Sequence, residues 1–218
     1  MTEDELVLVV DRAACFGGDW PQGFTPLGDA EARELVAHFE ALARFEPRVR
    51  AELEPAWKQC IPYCAVVCEA QVFCVERLPR QGETRLHGKL SIGIGGHVGR
   101  EDAPTRGALA RGLLRELAEE LRLPASPLRT PRCVGLLNDD ANAVGAVHVG
   151  LVYVLELDRP QAAELGIREI SKLAGAFRPL VAPDGPWQDA ARLESWSALL
   201  LDVLPRLLTE QPARRASR

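Results

Sequence analysis

A chain of 218 residues, 47% hydrophobic and 26% charged, has the apolar mass for one sizeable core and the composition of an ordinary soluble globular protein. Its 26 basic residues against 31 acidic ones leave a net charge of −5, so it has no broad basic surface for a nucleic-acid polymer. No run approaches the roughly 20 apolar residues of a membrane span. The acidic opening Thr2-Glu3-Asp4-Glu5 also lacks the basic flank of a secretory signal, and a cytoplasmic protein is expected.

Leu6 to Arg12 reads as a first strand, followed by a glycine-rich loop from Cys15 to Gly28 that contains Pro21 and Pro26. Asp29 caps a helix running to Phe45, with Ala32, Leu35, Val36, Phe39, Leu42 and Ala43 on one face and His38 on its surface. Arg48 to Gln59 is a shorter charged segment, read as helical, that contains Trp57. Residues 1–58 are thus an N-terminal extension packed on a core domain of residues 59–210, placed to roof a site or to form a homodimer surface. Tyr63 to Leu78 is a long β-rich run, then comes a loop with Pro79 and Gly82. Arg85 to Val98 returns antiparallel to that run.

In this returning strand Ser91, Gly93 and Gly95 alternate with Ile92 and Ile94, and it ends at the pair Gly95-Gly96. Asp102-Ala103-Pro104-Thr105 opens a helix over Ala108 to Leu123, with Pro104 suited to its first turn. A strand through Cys133 to Leu137, an Asx turn over Asn138 to Asn142 and a strand from Ala146 to Leu157, apolar on both faces, come next. Residues 159–185 read as irregular, with a short strand at Phe177 to Leu180. Gln188 to Leu208 reads as a last helix that Pro205 kinks or ends, and residues 211–218 as a disordered tail. The six cysteines include no C-x-x-C pair. In a reducing compartment they serve as small buried hydrophobes.

The chemistry concentrates on the helix. Residues three and four apart share a helical face, so Glu116, Glu119 and Glu120 project as one acidic cluster, opposite Leu113, Leu114, Leu117 and Leu121. Arg115, one turn before Glu119, can hold its carboxylate. RE-x-x-EE also occurs on solvated helices, but three close carboxylates repel unless a cation sits among them, and oxygen-only ligands suit Mg²⁺ or Mn²⁺. Gly95 and Gly96 let the backbone approach a ligand closely.

Strand, Gly-Gly corner and RELAEE helix resemble the signature box of the Nudix hydrolases, G-x5-E-x7-R-E-U-x-E-E-x-G-U with U aliphatic. Gly95 to Glu101 keeps the first spacing. Thirteen residues rather than seven then separate Glu101 from Arg115, and Arg122 replaces the last glycine. Gln59 to Tyr63, Gly82 to Lys89, Asn138 to Asp140, Val147 to Gly150 and Leu193 to Ser197 are similar to a bacterial Nudix subgroup of predicted phosphoesterases.

The resemblance implies an α/β fold, a Nudix-type α-β-α sandwich around a mixed sheet. It implies Glu116 and Glu120 as ligands of Mg²⁺ or Mn²⁺, Glu119 as a ligand or the base, and Arg115 as their orienter. It further implies that the substrate is a small phosphorylated molecule, a nucleoside diphosphate derivative or another diphosphate. Arg85, Lys89, Gly95, Gly96 and His97 are the candidate substrate contacts. Asp139, Asp140 and Glu194 are alternative bases from a separate loop. Arg77 reads as a diphosphate contact or as part of a solvated strand face, and His97 and His148 each also read as hydrogen-bonded core rings. The departures at Glu101 and Arg122 keep open a second reading, a non-catalytic Nudix-fold module that binds a nucleotide. An isopentenyl diphosphate isomerase, a third option, requires a facing cysteine and glutamate that the sequence does not place.

Overall fold

The computed structural model describes residues 5–17, 19–78, 88–168, 170–171, 173–181 and 186–209. The chain opens with β1 (Leu6–Asp11), α1 (Arg12–Phe16), β2 (Gly23–Pro26), α2 (Asp29–Leu42), β3 (Arg44–Pro47) and a single turn, α3 (Arg48–Ala51). β4 (Trp57–Cys68), β5 (Gln71–Arg77) and two very short strands, β6 (Leu90–Ser91) and β7 (Ile94–Gly95), lead to α4 (Ala108–Glu120). Next come β8 (Leu121–Arg122), β9 (Arg132–Asn138), α5 (Ala143–Ala146), β10 (His148–Glu156), α6 (Arg159–Glu164), β11 (Gly166–Ile167) and β12 (Leu173–Pro179). α7 (Ser195–Leu201) and α8 (Leu204–Thr209) complete the chain.

β4 is the spine: all twelve of its residues are buried. It runs parallel to β10, in register from Gln59↔His148 to Val67↔Glu156. Its other edge takes β1, β7 and β5 in turn, all antiparallel. The mixed sheet has the order β12-β5-β4-β10-β9-β2, with β3 beyond β1 and β6 on β5. Alternate side chains of a strand face opposite ways, and β4 uses both faces. Cys60, Cys64 and Val66 meet Leu109, Leu113 and Leu117 of α4 and Phe39 of α2. Tyr63, Ala65 and Val67 meet Leu200 and Leu204 on the opposite side. The result is the expected α-β-α sandwich. Each fully buried leucine of α4 contributes roughly 1.5–3 kcal/mol, which fixes the helix that carries the glutamates.

Several elements differ from expectation. The β-rich run from Tyr63 to Leu78 contains a turn not expected from the sequence, at Glu69-Ala70 between β4 and β5. Glu69 takes a positive φ of 53° without being glycine, and its carboxylate pairs with both Nε and Nη2 of Arg159. Only Arg48–Ala51 of the charged segment is helical, and Trp57 already belongs to β4. Pro104 precedes the helix rather than entering it. α4 starts at Ala108, and its free amides are met from another helix: Glu40 of α2 accepts from Gly107 N at 2.7 Å and from Leu109 N at 3.3 Å.

The helix ends at Glu120, where Leu121–Arg122 become β8 and pair with β11. Within 159–185 lie α6, β11 and the seven-residue edge strand β12, paired along its length with β5. The last helix is broken into 3₁₀ turns at Pro186–Gln188 and Ala190–Arg192, then α7 and α8. Pro205 sits in the first turn of α8, where a missing N–H loses nothing. The N-terminal extension is woven into the sheet: β1 pairs with β4 and β2 with β9. The predicted loop at Pro79 and Gly82 and the tail at 211–218 lie outside the described residues.

All six cysteines are free, five of them buried. Burial pushes the thiols of Cys15, Cys74 and Cys133 up to about 11 and that of Cys64 to about 12. They are packing groups. No described helix is long and apolar enough to cross a membrane.

Candidate active site

Arg115 is the hub of the site. Its Nη1 donates to Glu116 Oε1 at 2.7 Å and to Glu119 Oε1 at 3.3 Å, and its Nη2 donates to the His97 carbonyl at 2.7 Å. The fourth partner was not anticipated. Asp102 takes Nη2 at 3.0 Å and Nε at 3.3 Å while also accepting from Gly99 N at 3.0 Å. Asp102 is 3% exposed. Glu101, assigned to the box from Gly95, has a side chain 61% exposed and reaches Arg115 only at 3.7 Å. The register is therefore one residue later: five residues separate Gly96 from Asp102, the same count as Gly95 to Glu101. That equal spacing is the signal by which the anchor could have been found.

Glu116 is half-buried, and burial raises its pKa against the opposing pull of Arg115. A Cβ added to Gly96 would fall 2.6 Å from the Glu116 carboxyl carbon. Only glycine lets the corner lie this close to that carboxylate. Glu119 is largely exposed. Glu120 is near enough to Arg77 for its charge to act on the guanidinium, and Arg77 Nε donates to Glu194 Oε1 at 3.1 Å. Arg77 and Glu194 thereby join the neighbourhood of α4.

The other candidates are distributed as follows. Gly96, His97, Arg115 and Glu116 line one cleft of about 380 Å³ together with Arg48, Arg100 and Glu101. Gly95 is held in β7 opposite Tyr63. The Lys89 ammonium donates to the Ala191 carbonyl, and Arg85 lies outside the described residues. Asp140 is bound by Arg12 (2.7 Å), Gln22 (2.8 Å) and Lys58. Burial alone would raise its pKa, but these donors outweigh that and hold it well below the carboxylate range, so it is no base at neutral pH. Asp139 accepts from Ala141 N and Asn142 Nδ2 in the turn before α5. Trp196 packs edge-on against Tyr63, as a core residue.

His97 and His148 meet each other, their Nε2 atoms 3.2 Å apart, and Glu52 Oε1 lies 3.9 Å from both. Burial first, then Arg48, His148 and Arg115, lowers His97 to about 3. Burial likewise lowers His148.

Strand, glycine corner and an arginine-centred acidic helix inside an α-β-α sandwich define a Nudix-fold protein. No family model matches the chain. It is 36% identical over 209 residues to protein YmaB of Bacillus subtilis (strain 168), which covers 92% of this chain and 98% of YmaB. It also resembles the crystal structure of Tm1382, a candidate Nudix hydrolase, at 26% identity and a TM-score of 0.74, over 93% of this chain and all of that one. The chain belongs to the Nudix family, in the group that includes YmaB.

Proposed function

We propose that the protein is a divalent-metal-dependent hydrolase that cleaves a phosphoanhydride bond in a nucleoside diphosphate derivative or related small diphosphate. The observation that carries this reading is the Arg115 hub, which holds Glu116 closely and Glu119 more loosely, with the Glu116 carboxylate so near Gly96 that a single methyl group there would push it aside.

The donor set fits a hard divalent ion: carboxylates at i, i+3 and i+4 on one helix, with the Gly96 backbone against the first of them. Glu116, Glu120 and Glu119 would hold Mg²⁺ or Mn²⁺, which when bound neutralises phosphate charge and acidifies a water. Arg115 keeps the glutamate rotamers in place, so that less ordering is left to substrate binding. Asp102 in turn anchors the Nε and Nη2 side of the guanidinium. Glu119, exposed and only loosely held, serves either as a further ligand or as the base that takes the proton of the attacking water. Arg77 is within reach of the same helix as a charge for the leaving phosphate, held by Glu194. With Asp102 in the anchoring role, the displacement of Glu101 no longer argues for a site that has lost its chemistry.

The test is a panel of nucleoside diphosphate derivatives and other diphosphates, assayed with Mg²⁺ and Mn²⁺ for a monophosphate product, wild type beside Glu120→Gln. We expect metal-dependent turnover that falls by a factor of about 100 or more in the variant, in line with losing charge stabilisation at the reacting centre. Equal turnover in both would refute the assignment. Binding of a nucleotide without product after prolonged incubation would support the non-catalytic module instead.

A further inference from the structure

Glu52, His97 and His148 come from three separate elements: the residue after α3, the segment after β7 and the first residue of β10. Their ligand atoms all lie within 4.8 Å of one another, and among the described residues this is the group of three that converges in this way. We propose that they form a second metal site, selective for an imidazole-preferring divalent transition metal of the Zn²⁺ class and separate from the acidic cluster on α4. The inference goes beyond the phosphoanhydride reading and does not depend on it, because none of the α4 glutamates belongs to the triad.

The geometry is near what such an ion requires. With Zn–N bonds of 2.0–2.1 Å, a tetrahedral site separates two nitrogens by about 3.3–3.4 Å. The two Nε2 atoms are already 3.2 Å apart. Glu52 Oε1, at 3.9 Å from each, must close by about 0.5 Å to reach the same tetrahedral edge. A partly exposed glutamate at a helix end makes that change by rotating its side chain. Two imidazoles and one carboxylate leave at least one open position, and His97 lines the cleft that Gly96 and Glu116 share.

His148 holds its ligand atom in the right chemical state, while His97, whose Nε2 donates to it across the 3.2 Å contact, would carry its proton on Nδ1 instead once a metal is bound. His148 Nδ1 donates to the Val144 carbonyl at 2.7 Å, which fixes the tautomer and leaves Nε2 with its lone pair. Burial lowers the proton affinity of both rings, which favours the neutral form that metal binding demands. Arg48 Nε lies 3.5 Å from Glu52 Oε1, but Arg48 Nη1 is committed to Glu5 at 2.7 Å, so much of its charge is already met.

A second, independent feature points to an occupant. Gln59 is the register partner of both His148 and Val9, so its side chain shares their face of the sheet, the face on which Val7, Val9 and Trp57 pack with Ala51 beside Glu52. It is 0% exposed, and neither its amide oxygen nor its amide nitrogen has a hydrogen-bond partner among the described residues. A buried amide left so is destabilising by about 1–3 kcal/mol. A metal ion with its coordinated water in the adjoining triad would supply the missing partner.

The test uses full-length protein stripped with a chelator and titrated calorimetrically with Zn²⁺ in millimolar Mg²⁺, which occupies the oxygen-only cluster. One Zn²⁺ per chain is expected. His97→Gln and Glu52→Gln should each weaken it by at least about 100-fold, the upper end of what losing even an outer partner does, while Glu120→Gln leaves the affinity unchanged. Co²⁺ in place of Zn²⁺ should give visible bands of nitrogen and oxygen ligation without thiolate charge transfer. Circular dichroism checks each fold, and if His97→Gln does not fold, the peripheral Glu52→Gln decides. No Zn²⁺ uptake by the wild type would overturn the site, leaving a hydrogen-bonded imidazole pair. So would uptake that survives in Glu52→Gln, uptake lost in Glu120→Gln, or a thiolate spectrum. Turnover of Glu120→Gln tests the phosphoanhydride reading separately.

Discussion

Replacing Asp102 with Asn removes one negative charge from a position 3% exposed while keeping the shape of the side chain. The amide oxygen can still accept from Gly99 N. Arg115 loses a charged partner at 3.0 and 3.3 Å, and the new NH₂ group has to face a guanidinium. Breaking a fully buried ion pair on one side is destabilising by about 3–5 kcal/mol. Arg115 is 23% exposed and keeps Glu116, Glu119 and the His97 carbonyl, so water and those partners recover part of the loss. We expect roughly 2–3 kcal/mol, close to a hydrogen bond to a charged group. For a chain of this size that lowers Tm by about 4–12 °C. Urea unfolding of wild type, Asp102→Asn and Glu101→Gln measures it. Glu101→Gln, at an exposed side chain 3.7 Å from the guanidinium, should stay within about 0.5 kcal/mol. If the two variants are equally stable, or if Glu101→Gln is the weaker, the assignment of Asp102 as the anchor of Arg115 is wrong.

Gly96→Ala places a methyl carbon 2.6 Å from the Glu116 carboxyl carbon, and the carboxylate must turn away. Turnover should fall at least about tenfold, consistent with the sensitivity of reactive geometry to small displacements, with Tm changed by only a few degrees. Wild-type kinetics in this variant would remove the corner from the site. Asp140 is held ionised by Arg12, Lys58 and Gln22, so its folded pKa lies below the unfolded value near 4. The stability it contributes is whole above that value and drains away as the pH falls toward the folded pKa. Urea titrations at pH 7 and pH 3 should show wild type losing about 1–2 kcal/mol more than Asp140→Asn over that interval, and equal pH slopes would contradict the linkage.

The acidic helix was legible in the sequence because its message is local: 3.6-residue periodicity puts Glu116, Glu119 and Glu120 together and Leu113, Leu117 and Leu121 in the core, although Leu114, read with those leucines, is 53% exposed. The buried strand β10 was legible for a similar reason, since both faces are apolar. The β4–β5 turn was not, because Glu69-Ala70 carries none of the usual turn residues and Glu69 is held in its left-handed conformation alongside an ion pair with Arg159, ninety residues away in sequence. Only the end of β12, from Phe177, was legible, because its exposed alanine- and glycine-containing first half, Leu173 to Ala176, shows little alternation. Asp102 was half-hidden: the doublets Gly95-Gly96 and Glu101-Asp102 give two equally spaced Gly–acid pairs, which signal both candidates, and burial against Arg115 picks the second. The Glu52, His97 and His148 convergence had no linear signature, since its members lie on three elements that meet around β4.

The Glu40 carboxylate that accepts from Gly107 and Leu109 ties the first turn of the glutamate-bearing helix to a residue that takes no part in the chemistry. Because Glu40 lies on α2, upstream of every strand of the box, the amino-terminal third holds the position of the reacting groups. Without that carboxylate all three glutamates would remain on the helix, but its first turn would lose the partner of its free amides.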